Sequence, residues 1–244
     1  MEQSPLRPIG VIGAMRIEMD ALCGRLADPR TETVGGISFT SGSMDGVPLV
    51  CAVCGIGKVF AAMCTQAMIL RYAPRCIINT GVAGGLSDTL RIGQFAVATA
   101  VVQHDMDTSP IGDPVGLISG INRIEIDSDE AMTRDLCGII AGQGITYERG
   151  VIASGDQFVA DSGKKSMIRR QFGAIACDME SAAIGQVCYV NRVPFAVLRA
   201  ISDGGDEAAV IDYPTFAARA AQHGVAVTAS YAAQCAAEKQ QIYQ

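Results

Sequence analysis

The sequence predicts one α/β domain over residues 1–244, in which strands and helices alternate along the chain and pack in three layers. Three observations predict this fold class. Short apolar runs, typical of strands buried on both faces, alternate with segments of helical periodicity. The length suits one large α/β domain. No Ser/Gly/Pro linker, composition shift or internal repeat divides the chain.

Composition excludes several classes of partner. The chain is 49% hydrophobic and carries a net charge of −6, which opposes binding to nucleic acid or to anionic membranes. No apolar run approaches the roughly 20 residues that span a bilayer, and the amino terminus shows no leader pattern. We therefore expect a cytoplasmic protein whose nine cysteines are reduced and mostly buried.

The first half of the chain predicts a strand, a helix, a hairpin, a second helix and two further strands. Residues 9–12 are apolar and end at a glycine, and the next segment is apolar at Met15, Met19 and Leu22, as on one face of a helix. An Asp45-Gly46 pair predicts the hairpin turn. The predicted elements are strand 9–12, helix 15–22, hairpin 35–54, helix 58–71, strands 75–86 and 94–102, and a long loop at 104–120.

The second half repeats the alternation of helices and strands. Ser128 is a predicted cap of the first helix, and Asp212-Tyr213-Pro214 is predicted to open the last one. The predicted elements are helices 127–143, 161–171, 179–191 and 212–239, and strands 145–152, 174–177 and 194–201.

Several motifs that would imply a metal or a cofactor are incomplete. The segment 55–59, Gly-Ile-Gly-Lys-Val, lacks the residues of a Walker or dinucleotide loop, so it predicts a tight turn with backbone N–H groups available to a ligand. Cys51 and Cys54 have no partner pair at zinc-site spacing, and His104 lies far from His223 in sequence. A G-x-S-x-G elbow is absent from the sequence. We expect no metal and no cofactor.

Polar residues follow two of the predicted strands where each strand ends. Asp178-Met179-Glu180 comes after one strand, and Arg199-Ala-Ile-Ser202-Asp203 ends another. Strand ends of an open α/β sheet form the crevice in which such folds bind ligands. Glu18 follows the first strand, where an acid also favours the helix dipole. Glycines at 84 and 85 fit either a turn or a close approach to a ligand, and Phe158 fits either the core or a ring-binding position.

Six motifs occur in a fixed order along the chain. They are Ile12-Gly-Ala-Met15 with Glu18, Gly55-Ile-Gly-Lys58, Asn79-Thr-Gly-Val-Ala-Gly-Gly85, Ser154-Gly-Asp-Gln-Phe158, Asp178-Met-Glu-Ser181 and Arg199-Ala-Ile-Ser-Asp203. Together they resemble the motifs of the 5′-methylthioadenosine/S-adenosylhomocysteine nucleosidases, within the purine nucleoside phosphorylase-like superfamily. The resemblance implies a three-layer α/β/α fold with a mixed, partly barrel-like central sheet, assembled as a homodimer. It also implies hydrolysis of the adenine N-glycosidic bond to adenine and a 5-thioribose.

The resemblance also implies roles for single residues. Asp203 would donate a proton to the leaving adenine, which requires a raised pKa, and Ser202 would orient it. Glu18 would activate the attacking water, and Glu180 would hold the ribose hydroxyls. The implied substrate contacts come from Ala14, Met15, Gly84, Phe158 stacked on adenine, the Val159 backbone, Asp178, Met179 against the sugar, Arg199 orienting the carboxylates and water, and Tyr213.

Three features depart from the family pattern. Val82 stands where many members have serine, Asp178 replaces the commoner glutamate, and the 110–120 loop does not match the familiar forms.

Two alternatives remain open. A phosphate-dependent nucleoside phosphorylase needs converging cations, for which Arg16 is the one candidate near the first strand end. A ligand-binding protein on the same fold would lack catalysis, although Glu18, Glu180 and Asp203 are all present.

Overall fold

In a computed structural model that describes residues 6–242, ten strands join in one sheet. Four of the ten strands are buried at every residue, as expected for the central part of a sheet covered on both faces. The prediction made for the amino terminus and the two ends of the predicted domain lie outside the described residues. The strands are β1 (Ile9–Gly13), β2 (Ala27–Val34), β3 (Ile37–Met44), β4 (Val47–Val53), β5 (Cys76–Gly85), β6 (Phe95–Gln103), β7 (Ile126–Asp127), β8 (Tyr147–Ser154), β9 (Ala174–Asp178) and β10 (Phe195–Asp203).

Five of the strands close into a barrel. The order β10-β6-β8-β9-β5 returns on itself because β5 pairs with both β9 and β10. Parallel pairs such as β5 with β10 occur beside antiparallel pairs such as β6 with β10. From β5 the sheet continues through β1, β4, β3 and β2. The predicted mixed, partly barrel-like sheet is confirmed.

Helices cover both faces of this sheet. They are α1 (Arg16–Cys23), α2 (Lys58–Tyr72), α3 (Glu130–Gly142), α4 (Ser162–Phe172), α5 (Ser181–Asn191) and α6 (Ala209–Ile242). One apolar cluster combines strand residues with α2 and α5, and a second combines them with α1, α3 and α6. A smaller cluster lies beneath α4. The three-layer arrangement follows from these two helical layers.

The predicted hairpin is confirmed as β3 and β4, joined at Asp45-Gly46, where both residues have positive φ. Strand β2 is an element that the sequence analysis missed. Its residues are mostly exposed and include several charges, so it gives neither an apolar run nor a clean alternation. The hairpin is therefore part of a three-stranded antiparallel extension.

Two helix starts, those of α3 and α6, differ from the prediction by three residues each. Asp129, and not Ser128, caps α3, because the Ser128 N–H bonds Thr99 O beside β7 while the Asp129 side chain accepts from Met132 N–H at 2.9 Å. Helix α6 begins at Ala209, before the predicted Asp212, and includes Pro214. The turn before α6 is closed by Asp206, whose side chain accepts from Ala208 N–H at 3.1 Å.

The 104–120 segment contains one short 3₁₀ turn, Ser109–Ile111, and an isolated bridge between Ile118 and Arg123. Across residues 6–242, each helix is too short or too polar to cross a membrane. In the same part of the chain, no group of three or more His, Cys, Asp or Glu side chains is arranged to hold a metal ion.

Candidate active site

Glu18 is buried in the first turn of α1, just beyond β1. Its Oε2 accepts hydrogen bonds from the N–H groups of Ala14 at 2.7 Å and Met15 at 2.9 Å, and its Oε1 accepts one from Val82 at 3.1 Å. Burial raises the pKa of Glu18, against the opposing influence of Arg199 and these three donors. The result is a fixed carboxyl that is a stronger base than an exposed glutamate.

Asp203 is the last residue of β10 and is 2% exposed. Its Oδ1 accepts from the Gly205 N–H at 2.9 Å, and its Oδ2 accepts from the Ser202 hydroxyl at 2.8 Å. Gly205 has a φ of +64°, which favours glycine and turns its N–H back towards Asp203. Burial raises the pKa of Asp203, although these two donors lower it. Asp203 therefore retains a proton to higher pH than an exposed aspartate does.

Glu180 immediately precedes α5 and is buried beside the same carboxylates. Its Oε1 accepts a hydrogen bond from the Gly57 N–H at 2.8 Å, and its Oε2 lies 3.9 Å from Nη2 of Arg199. Burial, partly offset by Arg199, raises the pKa of Glu180 to about 7. At neutral pH Glu180 is thus close to the midpoint of its titration.

Arg199 is fully buried behind these acids. Its Nε donates to Asp178 Oδ2 at 2.7 Å, and its Nη2 donates to Asn79 Oδ1 at 2.5 Å and to Ser181 Oγ at 2.9 Å. Ser181 also bonds Asp178, and Ser154 Oγ donates to the same carboxyl at 2.5 Å. The guanidinium therefore compensates a group of buried negative charges.

One cavity of about 270 Å³ collects almost all of the predicted site residues. Glu18 and Asp203 both line it, so the two predicted catalytic carboxyls face the same space. Arg199 does not line it, because its side chain is held behind the wall by Asp178 and Asn79. The other predicted residues that line it are Ala14, Met15, Gly84, Phe158, Val159, Asp178, Met179, Glu180, Ser202 and Tyr213.

Two aromatic rings flank the cavity. Phe158 is 50% exposed, and its ring centroid lies 5.5 Å from that of Tyr213 at an interplanar angle of 78°. The Tyr213 hydroxyl contacts Met15 Sδ at 3.1 Å. Burial raises the pKa of Tyr213, with smaller contributions from Glu18, Asp203 and Glu180. Tyr213 therefore belongs to the same site as the carboxyls, although it comes from a distant part of the chain.

Several lining residues were not singled out as site residues. Val82 was named for its departure from the family pattern, and it lines the cavity. The remaining residues lie inside or beside motifs that the sequence analysis had identified. Their proximity to a motif in the sequence could therefore have identified them as site residues. These residues are Ile56, Ala83, Gln157 and Cys177. No residue of the 104–120 loop is among those found to line the cavity.

Comparison with known proteins gives a consistent result. A family model described as the phosphorylase superfamily matches residues 8–233. The 5′-methylthioadenosine/S-adenosylhomocysteine nucleosidase of Anoxybacillus flavithermus is 37% identical, over 88% of this chain and 93% of its own length.

Two solved structures from Helicobacter pylori are also similar. One is a mutant of its 5′-methylthioadenosine/S-adenosylhomocysteine nucleosidase with 5′-methylthioadenosine in the active site (TM-score 0.89, 34% identity, covering 92% of this chain and 97% of that one). The other is a futalosine hydrolase (TM-score 0.88, 34% identity, covering 91% of this chain and 96% of that one). This chain belongs to the phosphorylase superfamily and, within it, to the family of 5′-methylthioadenosine/S-adenosylhomocysteine nucleosidases.

Proposed function

We propose that this protein is a nucleosidase that hydrolyses the N-glycosidic bond of 5′-methylthioadenosine and S-adenosylhomocysteine. The products are adenine and the corresponding 5-thioribose. The observation that carries the proposal is the presence of two buried carboxyls with raised pKa values, Glu18 and Asp203, on the wall of one cavity. Family membership supports the reaction class.

Asp203 is the proposed proton donor. Adenine leaves poorly as an anion, so a proton must reach the base, at N7, as the bond from its N9 to C1′ of the ribose breaks. The raised pKa of Asp203 favours the protonated form that such a donor requires. Its hydrogen bond with Ser202 supports a fixed orientation of the carboxyl.

Glu18 is the proposed base for the attacking water. It takes a proton from the water as the oxygen bonds to C1′ of the ribose, which has acquired oxocarbenium character. Glu180 accepts hydrogen bonds from the ribose hydroxyls, and Met179 lines the sugar. Val82 cannot supply a side-chain hydroxyl to the water, so we assign the positioning of the water to Glu18, which the Val82 N–H holds in place.

The ends of the cavity have different proposed partners. Phe158 stacks on adenine and the Val159 backbone contacts the edge of the base. Tyr213 and Met15 are proposed to contact the 5′-substituent, since they touch each other through the Tyr213 hydroxyl and both line the cavity. Ala14, Gly84 and Asp178 complete the proposed substrate contacts.

A phosphorylase activity is the weaker alternative. Among the described residues, neither lysine nor arginine lines the cavity, and a phosphate dianion would meet carboxylates there. The Arg16 side chain is 84% exposed and lies 3.5 Å from Asp20, its partner on the same helix. This position removes the feature that favoured a phosphate site.

The test is an assay of adenine release from 5′-methylthioadenosine, S-adenosylhomocysteine, 5′-deoxyadenosine and 6-amino-6-deoxyfutalosine, each with and without phosphate. The last compound is included because a futalosine hydrolase is among the similar structures. We expect release from at least one of the first two compounds without phosphate. A phosphate requirement would identify a phosphorylase, and saturable binding without turnover would identify a binding protein.

We also propose a homodimer. Helix α2 exposes Val59, Phe60, Met63 and Leu70, a set of large apolar side chains on one surface helix. Sedimentation equilibrium measures the mass: about twice 25.5 kDa supports the dimer, and the monomer mass refutes it. The cytoplasmic location stays a prediction, and we further propose a part in methionine salvage, which the family resemblance implies.

A further inference from the structure

The turn between β4 and α2 has a defined contact with the site. Gly57 has a φ of +100°, and its N–H donates to Glu180 Oε1 at 2.8 Å. The same turn contributes Ile56 to the cavity wall. The position of the Glu180 carboxyl therefore depends on where the turn is held.

Lys58, the next residue, takes part in a closed cycle of hydrogen bonds that we call the Lys58 ring. The Lys58 N–H donates to Asp156 Oδ1 at 2.7 Å, and the Lys58 Nζ donates to Asp105 Oδ1 at 2.6 Å. The Asp156 N–H donates to Asp105 Oδ2 at 2.9 Å and closes the cycle. The ring joins three segments that follow β4, β6 and β8.

The ring also connects to α5, which Glu180 immediately precedes. Lys58 Nζ donates to Gln103 Oε1 at 3.1 Å, and Gln103 Nε2 donates to Gln186 Oε1 of α5 at 2.6 Å. The Lys58 and Asp105 side chains are each only 18% exposed, so solvent screens this ion pair less than a pair on the open surface.

Gly57 itself fits closely against the ring. A Cβ atom at Gly57 would lie 3.0 Å from Asp156 Oδ1. A positive φ and this short approach together restrict the position to glycine. The Lys58 ring thus fixes one side of the turn, and on the other side the Gly57 N–H points to Glu180.

From this geometry we infer that Lys58, Asp105 and Asp156 are positioning residues that hold the Gly57 N–H on Glu180. None of the three lines the cavity. Their effect on catalysis passes through the Glu180 carboxyl, so the inference rests on its proposed role with the ribose hydroxyls. Charge-assisted hydrogen bonds suit this task because they fix geometry more firmly than neutral ones.

The test is a double-mutant cycle on adenine release from 5′-methylthioadenosine. Lys58→Met removes the Nζ bonds and keeps the backbone bond to Asp156. Arg71→Met is the matched control, because it breaks an ion pair of the same helix, to Glu32 at 3.1 Å, and Arg71 does not line the cavity. Lys58→Arg tests whether another cation at this position restores activity. For the cycle, Lys58→Met is made both in the wild-type protein and in the Glu180→Gln variant.

We expect Lys58→Met to lower kcat/KM by at least about 10-fold, since small displacements of a positioned group have such effects. Arg71→Met should stay within about twofold of wild type, and Lys58→Arg should recover part of the loss. In the Glu180→Gln background, Lys58→Met should cause no further loss beyond about twofold. The dissociation constant for adenine, which has no ribose, should not change.

A loss that adds fully to that of Glu180→Gln, or near-wild-type kcat/KM in Lys58→Met, would overturn the inference while leaving the proposed function intact. Failure of the wild-type protein to release adenine would overturn both. If Lys58→Met does not fold, Asp105→Asn, which neutralises the partner charge, enters the same cycle with the same two outcomes.

Discussion

Gly81 of β5 occupies a position at which the smallest possible side chain should disable the site. A Cβ atom there would lie 2.2 Å from Arg199 Nη1 and 2.6 Å from Glu18 Oε1. Both neighbours are buried, and Arg199 is held by Asp178 and Asn79. The contact cannot be relieved by rotating a free side chain into solvent, so Gly81→Ala must displace Arg199, Glu18 or the strand.

Two effects set the magnitude. Forcing an extra methyl group into a packed interior costs about 1–3 kcal/mol. Breaking a buried ion pair costs about 3–5 kcal/mol, so any displacement of Arg199 from Asp178 adds to this penalty. We therefore expect the free energy of unfolding to fall by about 3 kcal/mol or more. Moving Glu18 off the Val82 N–H should also lower kcat by about 100-fold.

Chemical denaturation measures the first effect, and adenine release at saturating substrate measures the second. Gly85→Ala, on the same strand, is the control, because its Cβ would lie 3.3 Å from a methyl group of Ile201 and needs only a small adjustment. If Gly81→Ala matches Gly85→Ala in both stability and kcat, the proposed crowding between Arg199 and Glu18 is wrong.

Three further predictions concern the carboxyls. Glu18→Gln should lower kcat by about 10²–10⁴-fold with little change in the dissociation constant for substrate, and isothermal titration beside steady-state kinetics checks both values. Asp203→Asn should have a similar effect on kcat, and single-turnover adenine release that matches wild type would exclude Asp203 as the proton donor. Because the ionised form of Glu180 accepts from the ribose hydroxyls more strongly than the protonated form, and burial raises its pKa to about 7, kcat/KM should rise with pH through that value. The rising limb should disappear in Glu180→Gln, and its persistence would assign the limb to another group.

The alternation of buried strands and helices was predictable because each apolar strand leaves a continuous run in the sequence. Strand β2 was not predictable, because an exposed edge strand needs no apolar pattern. This strand carries the charged residues Asp28, Arg30 and Glu32. The closed barrel was predicted only from the family resemblance. The pairing of β5 with both β9 and β10 is a long-range property that local periodicity does not encode.

The site was largely predictable because its residues follow strand ends, and strand ends are visible in the sequence. The placement of the Arg199 side chain was not predictable, because a residue near the end of a strand can face either the ligand or the protein interior. Its side chain points to Asp178 and Asn79, so it supports the site from behind. The Lys58 ring joins residues that are 47 and 98 positions apart, and no spacing rule identifies such a contact.

Strand β2 ends the sheet path, and its outer side has no further strand to pair with among the described residues. The strand has an irregular register between Ala27 and Arg30, and Asp28 has a φ of +50°, so the start of this edge is not a regular row of donors and acceptors. Charges of both signs follow along it. The irregular, charged edge therefore disfavours pairing with a strand of a second molecule. This protects the folded protein from aggregating through β2.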